Sequence, residues 1–367
     1  MRRLFGFSGK GLLYASGVWL CITQLPAAVD AAQPDRSCAP SEGLTFVCGL
    51  KHPEDLVQVP ETRWIIASSL SLRAGVGVGG DLYLIDNHRR TWTTMAVRPA
   101  LTGRSDPEFK DCPGPPDANL FGAHGLALAS GKNAVHHLYA VNHGGRESVE
   151  VFDLDVRHGQ PKLRWTGCVV FPLNLFLNSV APTADGGFVV TSMVDRSDPD
   201  RWKKMAKGEN TGVVYQWRPF EHPKIVPGSQ ASGDNGIVTS PNGDIYIAAW
   251  GGKAILRLRW NGGQLTRETT AVDFLPDNLR WAPDGTLLVA GQRRDIRNFF
   301  ATCTPAPCRF AWVVARLDPR TMSVTKLKEG DGEVFSEATT ALQVGDDIWI
   351  GSASDDRVAI LPVRRSY

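Results

Sequence analysis

Short runs of alternating apolar and polar residues recur along most of the 367-residue chain. Each run leads through a polar turn, often containing Asp-Gly, Asn-Gly or Gly-Asp, into a second run of the same kind. Turns of this composition supply the positive-φ positions that tight β-hairpins need. Long stretches with helical periodicity are scarce, so the pattern predicts an all-β fold.

The hairpin pattern occurs six times, and in most units a third alternating run follows it. The six units open with DLVQVPETRWIIASSL, HGLALASGKNAVHHLYAVNH, NSVAPTADGGFVVTSM, NGIVTSPNGDIYIAAW, DNLRWAPDGTLLVAG and ATTALQVGDDIWIGSA. They begin roughly 40–70 residues apart, which is the spacing of propeller blades. The repeat therefore predicts a six-bladed β-propeller with a central channel. A large β-sandwich or two unrelated β domains are the alternatives, but no linker-like stretch separates the units.

The first residues have the pattern of an export signal. Arg2, Arg3 and Lys10 precede an apolar stretch over 11–25, and small residues follow near Ala31. This pattern predicts a secretory signal peptide over 1–31, a single propeller domain over 32–367, and a secreted or periplasmic protein. An uncleaved N-terminal anchor is the alternative. No later segment is apolar for long enough to span a bilayer.

Six cysteines remain after the predicted signal: Cys38, Cys48, Cys112, Cys168, Cys303 and Cys308. An even number in an oxidising compartment favours disulfides. Short separations make Cys38–Cys48 and Cys303–Cys308 candidate pairs, although the sequence leaves the connectivity open. The absence of CxxC motifs or regular Cys/His spacing argues against a zinc site.

Charge and composition narrow the possible partners. The chain has 40 Lys and Arg against 38 Asp and Glu, a formal charge of +2, which gives no electrostatic reason to expect a nucleic-acid or membrane partner.

Two segments interrupt the repeated pattern and are predicted to be insertions, one over 102–119 and one over 195–211. The second includes DPDRWKKMA, which predicts a short helix capped by Asp198. Either insertion is placed to cover one face of the propeller.

Polar residues mark the start of five of the six units. The innermost strand of each blade lines the channel of a propeller, where an unpaired polar side chain is costly unless it binds something. The five positions are Glu54, His124, Asn178, Asn235, and Asp277 with Asn278. Carboxylate and amide oxygens are the donors that Ca²⁺ prefers, and two carboxylates balance its charge. Taken singly, each residue also fits an ordinary turn; their repetition predicts one calcium site in the channel.

Two histidines add base chemistry to this site. His124 opens the second unit and His143 ends its next strand. A nearby cation disfavours a protonated imidazole, so a channel histidine would remain available as a base near neutral pH. The second imidazole could orient the first by a hydrogen bond. A structural role is the alternative for either histidine alone.

Several of these motifs together resemble a known family. They are PEDL at Pro53, HGLAL at His124, AVNH at Ala140, NSVA at Asn178, NGIVTSPNGDIYIA at Asn235, DNLRWAPDG at Asp277 and the closing ATTALQVGDDIWIGSASDDRVAILPV. In their order and intervals, the chain is similar to the serum paraoxonase/arylesterase family, within the wider gluconolactonase-like propellers. The likeness extends over most of the chain that follows the predicted signal.

The resemblance implies a calcium-dependent hydrolase of lactones or esters. It implies a catalytic Ca²⁺ held by Glu54, Asn178, Asn235, Asp277 and Asn278. It also implies that His124, supported by His143, activates a water molecule against the carbonyl of a small-molecule lactone or ester. A sugar lactonase and a non-catalytic binding propeller with a structural calcium remain the alternatives.

The chain departs from the family at two points. Members carry a second, structural Ca²⁺ held partly by an Asp that follows the Glu ligand and another that follows the first Asn ligand. Here Asp55 is present as a candidate ligand, but the other position is Ser179, whose hydroxyl lacks the charge that a buried dication needs. The family's bridge between its first and last strands also lacks a partner, because AILPV contains no cysteine.

Overall fold

Hydrogen bonding between strands divides the described chain into six four-stranded antiparallel sheets and one two-stranded hairpin. A computed structural model describes residues 37–70, 72–73, 76–77, 80, 82–95, 97–296 and 309–363. The six sheets are the blades of a ring, so the predicted six-bladed β-propeller is confirmed. The proposed signal over 1–31 lies outside the described residues.

The first strand of the ring, β1 (Thr45–Cys48), belongs to the last blade. Blade 1 contains β2 (Pro53–Gln58), β3 (Trp64–Ser69), β6 (Leu82–Asp86) and β7 (Thr91–Met95), and the hairpin of β4 (Leu72–Arg73) and β5 (Val76–Gly77) lies between its second and third strands in the chain. A 3₁₀ turn over Arg98–Ala100 follows. Blade 2 contains β8 (Ala123–Ala129), β9 (Val135–Asn142), β10 (Glu147–Asp155) and β11 (Lys162–Phe171).

The next blades repeat this order from the channel outward. Blade 3 contains β12 (Leu175–Pro182), β13 (Phe188–Asp195), β14 (Val213–Trp217) and β15 (Lys224–Ile225). A short helix, α1 (Arg201–Ala206), lies between β13 and β14 in the chain. Blade 4 contains β16 (Asp234–Thr239), β17 (Ile245–Ala249), β18 (Ala254–Asn261) and β19 (Gln264–Ala271). Blade 5 contains β20 (Leu275–Trp281), β21 (Leu287–Arg293), β22 (Ala311–Asp318) and β23 (Ser323–Gly330).

Blade 6 closes the ring with strands from both ends of the described chain. Its strands β24 (Ala338–Val344), β25 (Asp347–Ser352) and β26 (Arg357–Pro362) are completed by β1, which pairs with β26 from Thr45–Ile360 to Cys48–Arg357. The last blade therefore depends on a strand that precedes blade 1, which leaves no open gap between the first and last blades.

Apolar side chains fill the space between neighbouring blades. Leu84 of blade 1 shares one buried cluster with Leu126 and Phe152 of blade 2. Because each sheet packs on both faces, the middle strands are apolar on both sides, while outer strands such as β19 are largely exposed. The packing leaves the inner strands β2, β8, β12, β16, β20 and β24 around the channel.

Two disulfides are present among the described residues. Cys38–Cys48 is formed, as its spacing allowed, and spans the segment that leads into β1. Cys112–Cys168 ties the first insertion to β11. The candidate pair Cys303–Cys308 lies outside the described residues. The two bridges are compatible with an oxidising compartment.

The second insertion contains the predicted helix, but the predicted cap is wrong by two residues. Asp200 is the N-cap of α1, and Asp198 instead accepts a hydrogen bond from the Asp200 backbone N–H at 2.9 Å. From α1, Met205 packs onto the backbone near Gly233, two residues before Asn235. This insertion thus covers the channel end at which the inner strands begin. In the described part of the chain, no helix is long and apolar enough to cross a membrane.

The first insertion lies against the outer strands of blades 2 and 3. Phe109 stacks on Trp217 with ring centroids 5.0 Å apart, and the bridge from Cys112 reaches Cys168 on the outermost strand of blade 2. The first insertion also reaches the channel end of blade 2, because the Gly114 backbone oxygen accepts a hydrogen bond at 2.9 Å from Arg146 Nη1, in the loop that follows His143.

Candidate metal centre

An irregularity in hydrogen-bond register occurs in every inner strand at the same level of the channel. It falls between Pro53/Leu56, Ala123/Leu126, Leu177/Val180, Asp234/Ile237, Pro276/Leu279 and Ala338/Thr340. A bulge breaks the alternation of a strand and redirects the side chains within it. All of the sequence-predicted metal ligands lie inside these irregular steps.

Glycines let neighbouring inner strands approach closely at this level. A Cβ added to Gly125 would lie 2.2 Å from the backbone oxygen of Asn178, and one added to Gly236 would lie 2.3 Å from that of Asp277. No residue that carries a Cβ fits such contacts with a neighbouring backbone. The glycine that follows His124 therefore brings its strand against that of Asn178, and the one that follows Asn235 brings its strand against that of Asp277.

Direct contacts link blades 1, 2 and 5 at this level. Glu54 accepts a hydrogen bond through Oε1 from Asn278 Nδ2 at 2.9 Å, and its Oε2 lies 3.7 Å from His124 Nε2. Asp277 accepts a hydrogen bond from Gln292 Nε2 at 2.7 Å, and the Asn235 side chain lies close enough to lower the pKa of Asp277. Glu54, Asn178, Asn235, Asp277 and Asn278 are all at most 6% exposed.

Each of these five residues has one buried side-chain oxygen without a hydrogen-bond partner among the described residues. The oxygens are Glu54 Oε2, Asn178 Oδ1, Asn235 Oδ1, Asp277 Oδ1 and Asn278 Oδ1. Buried polar atoms in folded proteins are nearly always paired, so five unpaired oxygens on four inner strands need a common explanation. A hard cation that accepts carboxylate and amide oxygens provides one, and the donor set fits Ca²⁺.

Electrostatics point to the same kind of ligand. Burial, with Asp55 and Asp277 nearby, raises the pKa of Glu54 well above its usual range. Burial, with Glu337 and Asp55 nearby, raises the pKa of Asp277 to about 8. The Arg280 guanidinium offsets the rise for Glu54 only in part, and a single dication would balance the two charges.

The centre is not a cluster of the usual metal-binding side chains. In the ranges that the structure describes, no group of three or more His, Cys, Asp or Glu side chains is arranged to hold a metal ion. The candidate set here contains two carboxylates, Glu54 and Asp277, and three amides. It is the unpaired amide oxygens, rather than a concentration of acidic residues, that identify it.

The two predicted histidines form one hydrogen-bonded chain with a third residue. His124 Nδ1 lies 2.8 Å from His143 Nε2, and His143 Nδ1 lies 3.0 Å from Glu147 Oε1. If Glu147 is ionised, it accepts from His143 Nδ1–H, and His143 Nε2 in turn accepts from His124 Nδ1–H. His124 Nε2 then carries a free lone pair on the side of Glu54. Burial, with His143 and Arg196 nearby, lowers the pKa of His124 well below its usual value, which keeps this lone pair available.

Sequence reasoning missed Glu147 and Arg196. Glu147 is 1% exposed and also accepts from the Leu177 backbone N–H at 2.7 Å and from Arg196 Nη1 at 2.9 Å. Arg196 lies over the ring of Phe176 at 4.6 Å, and that ring packs against both histidines. The only signal for Glu147 is a carboxylate four residues after His143; nothing in the sequence links Arg196 to it.

Two other buried acidic residues lie next to candidate ligands in the sequence. Asp55 Oδ1 accepts from the Leu56 backbone N–H, and its Oδ2 accepts from the Leu126 N–H and from Arg280, so both oxygens are engaged. Asp234, beside Asn235, is fully buried, and burial raises its pKa well above the usual range. Both of its carboxyl oxygens lack a hydrogen-bond partner among the described residues, as the candidate ligand oxygens do.

A cavity of about 930 Å³ opens at the opposite end of the inner strands from the candidate centre. Its lining includes Ala129, Pro182, Thr239 and Trp281, at the ends of β8, β12, β16 and β20. None of the candidate ligands or histidines lines it. This cavity and the candidate centre are therefore different places in the molecule. The centre is identified by its unpaired oxygens and by the histidine chain.

Comparisons with solved structures identify other propellers. A candidate gluconolactonase is 15% identical, with a TM-score of 0.53 over 88% of this chain and 93% of that one. A luciferin-regenerating enzyme is 11% identical, with a TM-score of 0.52 over 85% and 92%. A gluconolactonase from Xanthomonas campestris is 16% identical, with a TM-score of 0.51 over 87% and 89%. At these identities the likeness establishes the fold alone. No protein-family model and no curated protein sequence matches the chain.

Proposed function

We propose that this protein is a calcium-dependent hydrolase of lactones or related esters, similar in its site to the paraoxonase/arylesterase family. The observation that carries the proposal is the combination of five unpaired buried oxygens with a Glu147–His143–His124 chain that ends beside them. Either feature alone has a structural explanation. Together they support a cation site and an oriented base at one end of one channel.

The residues that would hold the calcium are those with the unpaired oxygens: Glu54, Asn178, Asn235, Asp277 and Asn278. A bound calcium would supply Lewis-acid polarisation of the carbonyl and stabilise negative charge on its oxygen. The two carboxylates match the charge of one ion.

His124 would act as the general base. Its Nδ1 proton is held by His143, which leaves Nε2 to accept the proton of a water molecule that attacks the carbonyl carbon. Glu147 would stabilise the positive charge that then develops on the histidine pair. Phe176 covers both imidazoles on one side and would limit access of bulk water to them.

The location of the protein is a separate proposal. We infer export by the signal over 1–31 and a mature single domain over 32–367, in the periplasm or outside the cell. The two disulfides support an oxidising compartment. Mass determination of the mature chain tests the cleavage, since retention of residues 1–31 would contradict it.

Measurement of calcium content, followed by hydrolysis assays, tests the proposal. The purified protein should contain calcium, should hydrolyse acyl lactones, should lose this activity on chelation, and should regain it with calcium. His124→Gln should reduce turnover by at least about 100-fold, the lower range for general-base catalysis. His137→Gln is the matched control, because His137 lies in the same blade but is 47% exposed and paired with Asp153. Turnover unaffected by both chelation and His124→Gln would refute the proposal.

A sugar lactonase is the second candidate, and the likeness to two gluconolactonase structures favours it. Such an enzyme uses one metal and would not need the histidine pair. Sugar lactones and acyl lactones should therefore be compared with the wild type and His124→Gln. Preferential turnover of sugar lactones that survives the substitution would support this candidate.

A further inference from the structure

Arg280 occupies an unusual place for a charged residue. It lies on β20, two residues after Asn278, and its side chain is 9% exposed. Its guanidinium donates to Asp55 Oδ2 at 2.5 Å, and the Asp55 carboxylate itself is fully buried. A buried carboxylate with a single cationic partner is held tightly, since removal of either charge strands the other.

The remaining donors of Arg280 go to backbone carbonyl groups of three inner strands. Nε donates to the Leu56 oxygen at 3.0 Å, Nη2 to the Leu126 oxygen at 2.8 Å, and Nη1 to the Leu279 oxygen at 3.0 Å. One carboxylate oxygen and three carbonyl oxygens thus converge on one positive group. Such a set of oxygens is also what a buried Ca²⁺ takes as ligands.

The expected second calcium of the paraoxonase/arylesterase resemblance does not fit this arrangement. That ion would need Asp55 and a carboxylate at position 179, but both Asp55 oxygens already accept hydrogen bonds and position 179 is Ser. The Ser179 hydroxyl is buried and has no hydrogen-bond partner among the described residues. It therefore does not compensate for the missing carboxylate.

We propose that the Arg280 guanidinium is a built-in cation that replaces a second, structural metal ion. It neutralises Asp55, joins the inner strands of blades 1, 2 and 5, and leaves no room for another cation among the same oxygens. The charges agree with this assignment: Arg280 offsets Asp55, and the two candidate carboxylate ligands, Glu54 and Asp277, remain for one dication. The wild-type chain accordingly binds no more than one calcium ion in its channel.

Arg280 acts in this view as a positioning residue for the first centre. Asp55 follows Glu54 directly, and Arg280 follows Asn278 by two residues, so the ion pair fixes both strands beside a candidate ligand. This part of the inference rests on the calcium centre of the proposed function. The exclusion of a second ion does not rest on that calcium centre, because it depends only on Arg280 and its acceptors.

Solvent can reach this place from the end of the channel opposite the candidate centre. A cavity of about 490 Å³ is lined by Arg280 together with Gln58, Leu128 and Gln343. If Arg280 were shortened, a hydrated ion would have a path to Asp55 that does not cross the candidate centre. A variant that lacks the Arg280 side chain can therefore bind a second ion at Asp55 while the first ion stays at the candidate centre.

Calcium equivalents per chain should be measured by equilibrium dialysis for the wild type, Ser179→Asp and Ser179→Asp/Arg280→Ala. We expect Ser179→Asp to bind as many ions as the wild type, because the guanidinium still fills the site. The double variant should bind one more, and saturating calcium should raise its Tm by more than that of Ser179→Asp. The matched control is Ser179→Asp/Arg259→Ala, which breaks the Arg259–Asp244 pair of blade 4, leaves Arg280 on Asp55 and should gain no ion.

Several results would overturn the inference. They are two calcium ions in the wild type, a gain of one ion by Ser179→Asp alone, and no gain by a folded double variant. The wild-type measurement needs no substitution, so the inference stays testable even if the double variant fails to fold. A wild type that binds no calcium would refute the proposed function, whereas the inference is judged by the difference between the variants.

Discussion

Two buried asparagines show how hydrogen bonding separates a structural residue from a candidate ligand. Asn142 Oδ1 accepts from the backbone N–H groups of Gly122 and Gly144, at 2.9 and 3.0 Å. Asn235 Oδ1 has no such partner among the described residues, although Asn235 is only 3% exposed. An unpaired buried oxygen destabilises the fold, so its presence suggests a ligand that compensates when bound.

Replacement of Asn235 by Ala should therefore have unequal effects with and without calcium. Calcium affinity should fall by at least about tenfold, since even indirect partners of metal ligands cost 10–100-fold. The metal-free protein should lose less stability than the calcium-bound protein, because in the metal-free state the substitution removes an unpaired oxygen together with the contact of Asn235 to Asp277. Thermal unfolding in chelator and in saturating calcium measures both effects.

Asn142→Ala provides the control for this experiment. It should lower the Tm equally in both conditions, because the amide of Asn142 is fully used within the protein. Equal destabilisation by Asn235→Ala in chelator and in calcium would show that Asn235 is structural as well.

Replacement of Glu147 by Gln tests the histidine chain without removing either imidazole. We expect kcat for lactone hydrolysis to fall at least about 10-fold, because the carboxylate that orients the histidine pair is lost, with little change in KM. The pH profile of kcat/KM should also shift, because Gln no longer fixes the tautomer or stabilises the protonated pair.

Glu150→Gln is the control, since Glu150 is equally buried on the same strand and is paired with Arg146 and Trp165 rather than with a histidine. It should lower stability and leave the pH profile unchanged. The same pH profile for Glu147→Gln and wild type would limit Glu147 to a structural role.

At the scale of the strand, the candidate ligands depend on glycines as much as on their own side chains. A Cβ on Gly236 would lie 2.3 Å from the Asp277 oxygen and 2.7 Å from the Asn278 Cα, and neither backbone atom can rotate away. Gly236→Ala should separate β16 from β20, cost about 1–3 kcal/mol of stability, and weaken calcium binding. Urea unfolding and calcium titration provide the two measurements.

Gly252→Ala, in the same blade, is the matched control, because its added Cβ would make only ordinary contacts, the nearest at 3.4 Å. It should change neither the stability in urea nor the calcium affinity by much. Normal calcium affinity in folded Gly236→Ala would mean that close approach of these two strands is not needed for the centre.

The sequence predicted the first two strands of every blade, and the third strand of most blades, because their apolar alternation is strong. It did not predict the outermost strands, such as β19 and β23, whose side chains are mostly exposed and carry little pattern. The candidate ligands were also predicted, because each occupies an equivalent place in a repeated unit. Their unpaired oxygens are the part that only the structure could reveal.

Glu147 and Arg280 were missed for a different reason. Their partners are distant in sequence: the Leu177 amide lies 30 residues from Glu147, and Asp55 lies 225 residues from Arg280. Only closure of the ring brings blade 5 against blades 1 and 2 at the channel. A local pattern contains no information about such a contact.

At the scale of the whole molecule, the closing strand and the two disulfides hold different parts of the ring. Cys38–Cys48 spans 10 residues around β1, which completes blade 6. Cys112–Cys168 spans 56 residues and ties the first insertion to blade 2. In the chain-entropy description, a longer closed loop restricts the unfolded state more, so the second bridge should contribute more stability.

Replacement of both cysteines of a bridge by serine compares the two contributions. We expect a loss of about 4 kcal/mol for Cys112→Ser/Cys168→Ser and about 3 kcal/mol for Cys38→Ser/Cys48→Ser in urea unfolding at 25 °C. Neither bridge touches the candidate centre, so calcium affinity of the folded variants should equal that of the wild type. The shorter bridge, however, secures the strand that closes the ring. A loss for Cys38→Ser/Cys48→Ser larger than for the other pair, or a weakened calcium site in that variant alone, would show that blade 6 closure stabilises the molecule beyond what loop entropy predicts.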